Sequence, residues 1–178
     1  RAANDTRVVG KHTLESLTEG MYKKPFTIYR EYIQNCSDAI DEALTKGIIK
    51  PGDAEIRIRI DARARQIVIR DNGIGVSKDK AYKTLGDIGN SQKSYEENRG
   101  FRGIGRLAGF TYARSVTFVT SYKGEPYRTI ISFDCNQMRS LLRDSSNNDT
   151  AIEVLNRITD HRIEPDKPEE HYCEVILD

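Results

Sequence analysis

Four polar residues recur at helical spacing in one segment of the chain and could act on a bound ligand. They are Glu31, Asn35, Asp38 and Glu42, and their spacing places side chains on one face of a helix. A carboxylate can orient and activate a water molecule, and the side-chain oxygen of Asn is a hard, neutral ligand suited to Mg²⁺. Taken alone, this pattern is explained more simply by an amphipathic helix whose polar face meets water.

A second candidate follows an apolar run at residues 67–69. Asp71 begins the sequence Asp-Asn-Gly-Ile-Gly, which ends at Gly75 and by itself predicts only a turn. An ionised carboxylate at the end of a strand can accept the exocyclic amino hydrogens of adenine but has no use for O6 of guanine. Two glycines, Gly73 and Gly75, would let a flat base approach the backbone. We therefore expect adenine to contact Asp71.

The third candidate is a run of closely spaced glycines. The sequence Gly100-Phe101-Arg102-Gly103-Ile104-Gly105 fits GxxGxG and leads into a segment with helical character. Glycines before a helix expose backbone N–H groups and a positive helix end, an arrangement that binds phosphate. The chain has no GxxxxGK[ST] motif, and the glycines do not follow a strand within a strand–helix–strand unit. These absences disfavour a P-loop and a dinucleotide-binding site of the Rossmann type.

Each candidate must be positioned by its secondary structure. We predict a helix over 25–46, with Pro25 in the first turn and Gly47 ending it. Two positions along a helix correspond to about 200° of rotation, so the apolar stripe should lie opposite the polar one. That predicted stripe consists of Tyr29, Ile33, Cys36 and Ile40.

The rest of the chain is predicted to contain hairpins mixed with shorter helices. Strands are expected at 55–61, 67–69, 115–122, 127–133 and 172–177; helices at 77–86, 103–110 and 135–143; and a mobile loop at 86–103. Residues 151–163 fit helix and strand periods equally well. Because no strand–helix–strand rhythm repeats, the order of elements predicts an α+β two-layer sandwich, with the site between its layers.

The composition is that of a globular protein, and we predict one domain over residues 1–178, an N-terminal fragment of something longer. A formal net charge of +1 gives no field that would attract nucleic acid or a membrane. No apolar run reaches the roughly 20 residues that span a bilayer, and no signal-peptide pattern is present, so we expect a cytoplasmic protein. The three cysteines and three histidines show no disulfide framework and no metal-ligand spacing.

The three candidate segments, in this order, resemble the ATP-site motifs of the gyrase, heat-shock protein 90, histidine kinase and MutL (GHKL) ATPase superfamily. The resemblance covers roughly residues 12–178, and the helix motif with both Glu31 and Asp38 is nearest to the heat-shock protein 90 branch. It implies the Bergerat form of the sandwich, with a mixed, mainly antiparallel sheet, helices on one face, and ATP or ADP with Mg²⁺ between the layers.

The resemblance also implies roles for individual residues. Glu31 would be the general base, Asn35 the Mg²⁺ ligand and Asp38 a support near the base or ribose. Asp71 would bind the adenine amino group, Gly75 would line the base pocket, and the amides of 100–105 would hold the phosphates under a lid formed by residues 86–103. The full set of predicted nucleotide contacts is Asn35, Asp38, Asp71, Gly73, Ile74, Gly75, Lys93, Gly100, Phe101, Arg102, Gly103, Ile104, Gly105 and Cys173.

Some of these residues are less specific to the pattern. Lys93 and either Arg102 or Arg106 are candidates for contacting phosphate, although solvated surface charge explains them as well. The family usually has a Gly-Thr pair before its last strand, and the corresponding residues here are Tyr172 and Cys173. A thiol is a poor substitute for the Thr hydroxyl, which puts that adenine contact in doubt.

Three alternatives remain open at this point. The chain could be the ATP domain of a histidine kinase, the ATPase part of a topoisomerase or mismatch-repair protein, or a nucleotide-binding regulator that does not hydrolyse ATP. His12 is too close to Glu31 to be a kinase phospho-acceptor, the near-neutral charge gives no support for DNA handling, and the presence of Glu31 argues against a regulator. A homodimer is expected of the longer protein from the resemblance, and the client is unknown.

Overall fold

The computed structural model describes residues 14–16, 25–86 and 105–178. Its longest helix, α1, spans Pro25–Thr45. The helix is followed by Gly47, which has a φ of +65°. The N–H of Gly47 donates to the carbonyl of Leu44 at 3.0 Å, and that of Ile48 donates to Ala43 at 2.9 Å. Glycine at this left-handed position ends the helix as the sequence predicted.

The buried side of α1 differs from the predicted stripe. Tyr32 and Cys36 are buried, whereas Ile33 is 36% exposed, so the prediction for Ile33 was wrong. The buried stripe runs through Tyr32, one position from Glu31, and one position is about 100° of rotation. The polar stripe therefore lies beside the buried stripe and not opposite it, which brings its side chains to the edge of the core. The buried positions of α1 are Ile28, Tyr32, Cys36, Ile40 and Ala43.

Among the described residues, six strands form one sheet. They are β1 Ile56–Asp61, β2 Gln66–Asp71, β3 Ser115–Ser121, β4 Tyr127–Asp134, β5 Thr159–Pro165 and β6 Tyr172–Leu177. The order across the sheet is β1-β2-β6-β3-β4-β5, and each of the five pairings is antiparallel. Strand β6 therefore lies in the middle, between the two predicted hairpins.

The helices cover one face of this sheet, which confirms the predicted α+β two-layer sandwich. Alternate residues of the central strands, such as Phe118, Ile131 and Val175, share one core cluster with residues of every longer helix. The opposite face carries a small separate cluster formed by Val119, Ile130 and Tyr172. The core between sheet and helices is therefore the layer in which the predicted site should lie.

The shorter helices mostly match their predicted positions. The predicted helix at 77–86 is α2, Lys78–Ala81, continued by one wider turn at Tyr82–Gly86, and the described part of 103–110 is a 3₁₀ helix at Gly105–Thr111. Helix α3 spans Cys135–Arg143 as predicted. The ambiguous segment 151–163 contains both structures, because α4, Ala151–Ile158, is followed directly by β5.

Two predictions concern residues outside the described ranges. The lid predicted over 86–103 lies there except for Gly86, and so does the glycine run from Gly100 to Ile104. Within the part of the chain that the structure describes, no helix is both long and apolar enough to cross a membrane.

Candidate functional site

A cavity of about 460 Å³ lies between α1 and the sheet, next to the carboxyl end of β2. Its walls come from α1, β2, the segment after β2, the wide turn at Tyr82–Gly86, and the central strands β3 and β6. Segments far apart in the sequence thus meet in one cavity. The lining residues are Tyr32, Asn35, Cys36, Asp38, Ala39, Glu42, Ile69, Asp71, Ile74, Gly75, Val76, Thr84, Leu85, Phe118, Cys173 and Val175.

Asp71 is the buried acid of this cavity. It ends β2, and only 3% of its surface is exposed. Its Oδ1 accepts hydrogen bonds from the N–H of Gly73 at 2.8 Å and of Cys173 at 3.3 Å, and its carboxylate also accepts from the Cys36 thiol. Burial raises the pKa of Asp71, while the hydrogen bonds from Gly73, Cys36 and Cys173 oppose that rise. The result is a carboxylate held in a fixed orientation at the cavity wall.

Two cysteines flank Asp71. Burial, followed by the negative charge of Asp71, raises the pKa of the Cys36 thiol, so this side chain stays protonated and donates to the carboxylate. Cys173 is the cross-strand partner of Asp71 in the β2–β6 pairing, and its side chain is half-buried. Cys173, predicted as a nucleotide contact, therefore does line the cavity, next to the acid.

The glycines after Asp71 allow close packing against other parts of the backbone. A Cβ at Gly73 would lie 2.6 Å from the backbone carbon of Ala39, and one at Gly75, where φ is +67°, would lie 1.9 Å from the carbonyl oxygen of Ser121. At both positions the protein's own backbone occupies the space that a side chain would need, and the predicted approach of a base to these glycines stays a prediction. Gly75 and Ile74 line the cavity, whereas Gly73 does not.

A set of buried and partly buried hydrogen bonds holds this segment in place. The Oγ1 of Thr120 accepts from the N–H of Val76 at 2.8 Å and donates to the carbonyl of Tyr172 at 2.9 Å. The Nδ1 of His171 lies 2.9 Å from the carbonyl oxygen of Gly73. Strands β3 and β6 thus fix the turn that follows Asp71, a role that no sequence motif indicated.

Three polar residues of α1 line the same cavity. Asn35 is exposed, and Asp38 accepts a hydrogen bond from the side chain of Gln34 at 3.0 Å. Glu42 forms an ion pair of 2.7 Å with Lys46 at the surface. The predicted neighbourhood of Asn35, Asp38 and Asp71 is therefore present, with Glu42 as an additional acid.

Glu31 lies one helical turn before Asn35, about 6 Å along the axis of α1, and does not line the cavity. A Cβ at Gly105 would be 2.9 Å from its Oε2, so the end of the glycine run contacts this carboxylate closely. Its Oε1 is 3.3 Å from the guanidinium of Arg30, which is exposed, whereas Glu31 is half-buried. Glu31 thus lies against Gly105, one helical turn from the cavity residue Asn35.

Several predicted contacts fall outside the described residues. They are Lys93, Gly100, Phe101, Arg102, Gly103 and Ile104, and the side chain of Arg106 is likewise not described. Gly105 belongs to the described 3₁₀ helix. The phosphate-binding prediction therefore rests, in this structure, on the position of Gly105 alone.

A larger cavity of about 660 Å³ lies on the polar side of the same loop and shares Asp71. Its lining includes Arg57, paired with Glu55 at 2.8 Å, and Arg70, paired with Glu170 at 3.3 Å. Both arginines are already paired with neighbouring acids, so they offer little free charge to a ligand. The smaller cavity has the more apolar walls, which is typical of ligand sites, and is the candidate site.

Comparison with known proteins gives a family for this arrangement. Residues 23–164 match the family model described as histidine kinase-, DNA gyrase B- and HSP90-like ATPase. This match covers most of the chain, including α1, Asp71 and the glycine run. The chain belongs to this ATPase family. The GHKL resemblance inferred from the motifs is thereby confirmed.

Several curated relatives of the chain are named chaperone protein HtpG. The chain is 35% identical to chaperone protein HtpG of Chromobacterium violaceum over 65% of this chain and 21% of that protein. The corresponding protein of Streptomyces coelicolor is 31% identical over 67% and 22%, and that of Aromatoleum aromaticum is 32% identical over 70% and 22%. The chain spans about a fifth of the length of the curated relatives it matches. These relatives support an HSP90-like member of the ATPase family.

The motifs did not identify the apolar floor of the cavity. Ile69, Phe118 and Val175 come from the adjacent strands β2, β3 and β6 and face the helices. All three lie in predicted strands, but the order of strands that brings them together was not visible in the sequence. Tyr32 was missed for another reason, since the predicted apolar stripe passed through Ile33.

Proposed function

We propose that this domain binds an adenine nucleotide in the 460 Å³ cavity and hydrolyses ATP with the help of Mg²⁺. The observation that carries the proposal is the convergence of Asn35, Asp38, Asp71 and Gly75 on one cavity between helix and sheet. The match of residues 23–164 to an ATPase family supports the same reading.

Asp71 is the proposed base-recognition group. With Oδ1 occupied by the N–H groups of Gly73 and Cys173, the carboxylate is held as an acceptor for the amino group of adenine. The thiol of Cys36 donates to the same carboxylate and helps to keep it ionised. The apolar side chains of Ile74 and Phe118 would contact the faces of the base.

Asn35 is the proposed Mg²⁺ ligand. Its amide oxygen is a suitable donor, and it lies on the cavity wall among the acids of α1. In the described ranges no three His, Cys, Asp or Glu side chains form a group that could hold a metal ion. Asn35 alone fits an ion whose remaining ligands are water and nucleotide oxygens, as is usual for Mg²⁺. When bound, Mg²⁺ would neutralise charge on the phosphate oxygens.

Glu31 is the proposed general base. Its carboxylate lies one turn from Asn35 and against Gly105, which is where the terminal phosphate would lie if the glycine run binds phosphate. From that position Glu31 would orient the attacking water and accept its proton. Contacts from Lys93, Arg102 or Arg106 to the phosphates stay predictions.

Coupling to other domains is the wider part of the proposal. The HtpG relatives are named chaperones, and the chain corresponds to about a fifth of their length. We expect nucleotide binding and hydrolysis here to drive conformational change in attached domains of the longer protein, which would form a homodimer. The HtpG relatives favour this reading over the histidine-kinase and DNA-enzyme alternatives.

Removing the proposed base tests the hydrolysis directly. Glu31→Ala should lower ATP turnover at least about 100-fold while the affinity for ATP changes little, because general-base catalysis contributes a factor of this size. The measurements are steady-state phosphate release and calorimetric titration. Asp41→Ala is the matched control, since Asp41 is an exposed acid of α1 that does not line the cavity. Unchanged turnover in Glu31→Ala would contradict the role of Glu31.

A further inference from the structure

Two adjacent residues of α1 contact the same short helix. The carboxylate of Glu31 faces Gly105 at the beginning of the 3₁₀ helix Gly105–Thr111, and the hydroxyl of Tyr32 accepts a hydrogen bond of 3.1 Å from the N–H of Gly109 near its end. The segment that continues the glycine run therefore contacts α1 at two of its residues, four positions apart in the sequence.

The Tyr32 contact is buried and specific. The side chain is 1% exposed, and its ring meets that of Phe118 edge to face, with centroids 6.3 Å apart. The ring already fills core space, so the hydroxyl adds little to packing. Its contribution is to give the buried N–H of Gly109 an acceptor, and a buried N–H without an acceptor is unfavourable.

The glycine at 109 makes this approach possible. A Cβ there would lie 2.8 Å from the Tyr32 hydroxyl oxygen and 2.7 Å from a methyl group of Leu177. The backbone of the short helix is thus in direct contact with α1 on one side and with β6 on the other. The position of the short helix relative to Glu31 therefore depends on the hydrogen bond between Gly109 and Tyr32.

We infer that the Tyr32 hydroxyl is a positioning group that fixes the segment Gly105–Thr111 against α1, and so sets the distance between Glu31 and the end of the glycine run. This inference rests on the proposed function. Adenine recognition at Asp71 uses other contacts, namely those with Gly73, Cys173 and Cys36. Loss of the hydroxyl should therefore impair the chemical step and leave the affinity for nucleotide largely intact.

The test is Tyr32→Phe, which keeps the ring and removes only the hydroxyl. We expect kcat for ATP to fall about tenfold or more, because sub-ångström misplacement of reacting groups has effects of this order. KM and the dissociation constant of ADP should change by less than about threefold. The control is Tyr172→Phe, which leaves the backbone intact and removes the hydroxyl of another buried tyrosine. That hydroxyl donates to Asp166, outside the candidate site, in a partly buried hydrogen bond.

The outcomes separate positioning from simple stability. Both variants should show a similar small fall in melting temperature, and only Tyr32→Phe should lose kcat. An unchanged kcat in Tyr32→Phe, equal losses of kcat in both variants, or loss of folding or of ADP binding in Tyr32→Phe would overturn the inference. Wild-type protein that binds no nucleotide or shows no turnover would overturn the proposed function as well. If the wild-type protein hydrolyses ATP and Tyr32→Phe hydrolyses it equally fast, only this inference is overturned.

Discussion

Asp71 combines two properties that oppose each other. Burial disfavours its charge, yet the proposed recognition of adenine needs the ionised form, because a protonated carboxyl presents a hydrogen where the amino group also presents one. The N–H groups of Gly73 and Cys173 and the Cys36 thiol offset part of the unfavourable burial. The ionised form of Asp71 is thus less favourable than that of a surface acid, although the proposed function requires it.

The raised pKa of Asp71 predicts opposite pH dependences for binding and for stability. A carboxyl whose pKa is raised by folding stabilises the fold most at pH below its unfolded-state pKa, and this contribution is lost as pH rises through the folded-state pKa. Affinity for ATP should instead rise with pH through that same folded-state pKa. Titrations with ATP at a series of pH values would measure the affinity. Thermal unfolding of the nucleotide-free protein at the same pH values would measure the stability.

Asp71→Asn provides the control for that experiment. The amide cannot ionise, so the variant should bind ATP poorly at every pH, and its unfolding should lack the part of the pH dependence that Asp71 causes. Wild type and variant with identical pH dependence of stability would show that the Asp71 carboxyl has an ordinary pKa. Comparing the two proteins removes the contribution of the other acids.

The identity of the acid was predictable from the sequence, whereas its surroundings were not. Asp71 follows an apolar run and precedes two glycines, which marked it out. Its donors Cys36 and Cys173 come from α1 and β6, and these meet Asp71 only through the order of strands. The role of Thr120 depends on the same order, so no local pattern could reveal it.

At the scale of elements, the turn after β2 is built for close approach to β3 and α1. Gly75 combines a φ of +67° with a contact to Ser121 that leaves no space for a Cβ. Gly47, at the end of α1, has nearly the same φ of +65° but nothing within 4 Å of a Cβ. A side chain at Gly47 would cause backbone strain alone, whereas one at Gly75 would cause the same strain and a steric clash.

This pair gives a prediction for stability. Gly47→Ala should lower the free energy of unfolding by about 1–2 kcal/mol, the cost of a left-handed conformation with a side chain. Gly75→Ala should lower it by at least about 2 kcal/mol more, because the backbone of β3 must also move. Urea unfolding would measure both. Equal losses would mean that the turn moves freely away from Ser121.

Element boundaries were largely predictable because local signals set them. Pro25 and Gly47 bound α1, and each of the five predicted strands corresponds to a strand of the sheet. The burial of α1 was not predictable, since its packing selects Tyr32 over Ile33. Residues 151–163 were ambiguous because they hold a helix, begun by a capping box of Thr150 and Glu153, and then a strand.

At the scale of the whole molecule, the formal net charge of +1 gives no long-range attraction to nucleic acid. We expect double-stranded DNA to leave ATP turnover of this domain unchanged at physiological ionic strength. A phosphate-release assay with and without DNA measures this. Stimulation by DNA that weakens with added salt would instead favour the DNA-enzyme alternative.

The central claim is that α1, the segment after β2 and the glycine run form one site for an adenine nucleotide. Calorimetric titration of the protein with ATP and with GTP, both with Mg²⁺, tests it most directly. The account predicts one site per chain and at least about tenfold tighter binding of ATP, a difference of about 1.4 kcal/mol. Equal affinity for the two nucleotides, or no binding of ATP, would contradict it.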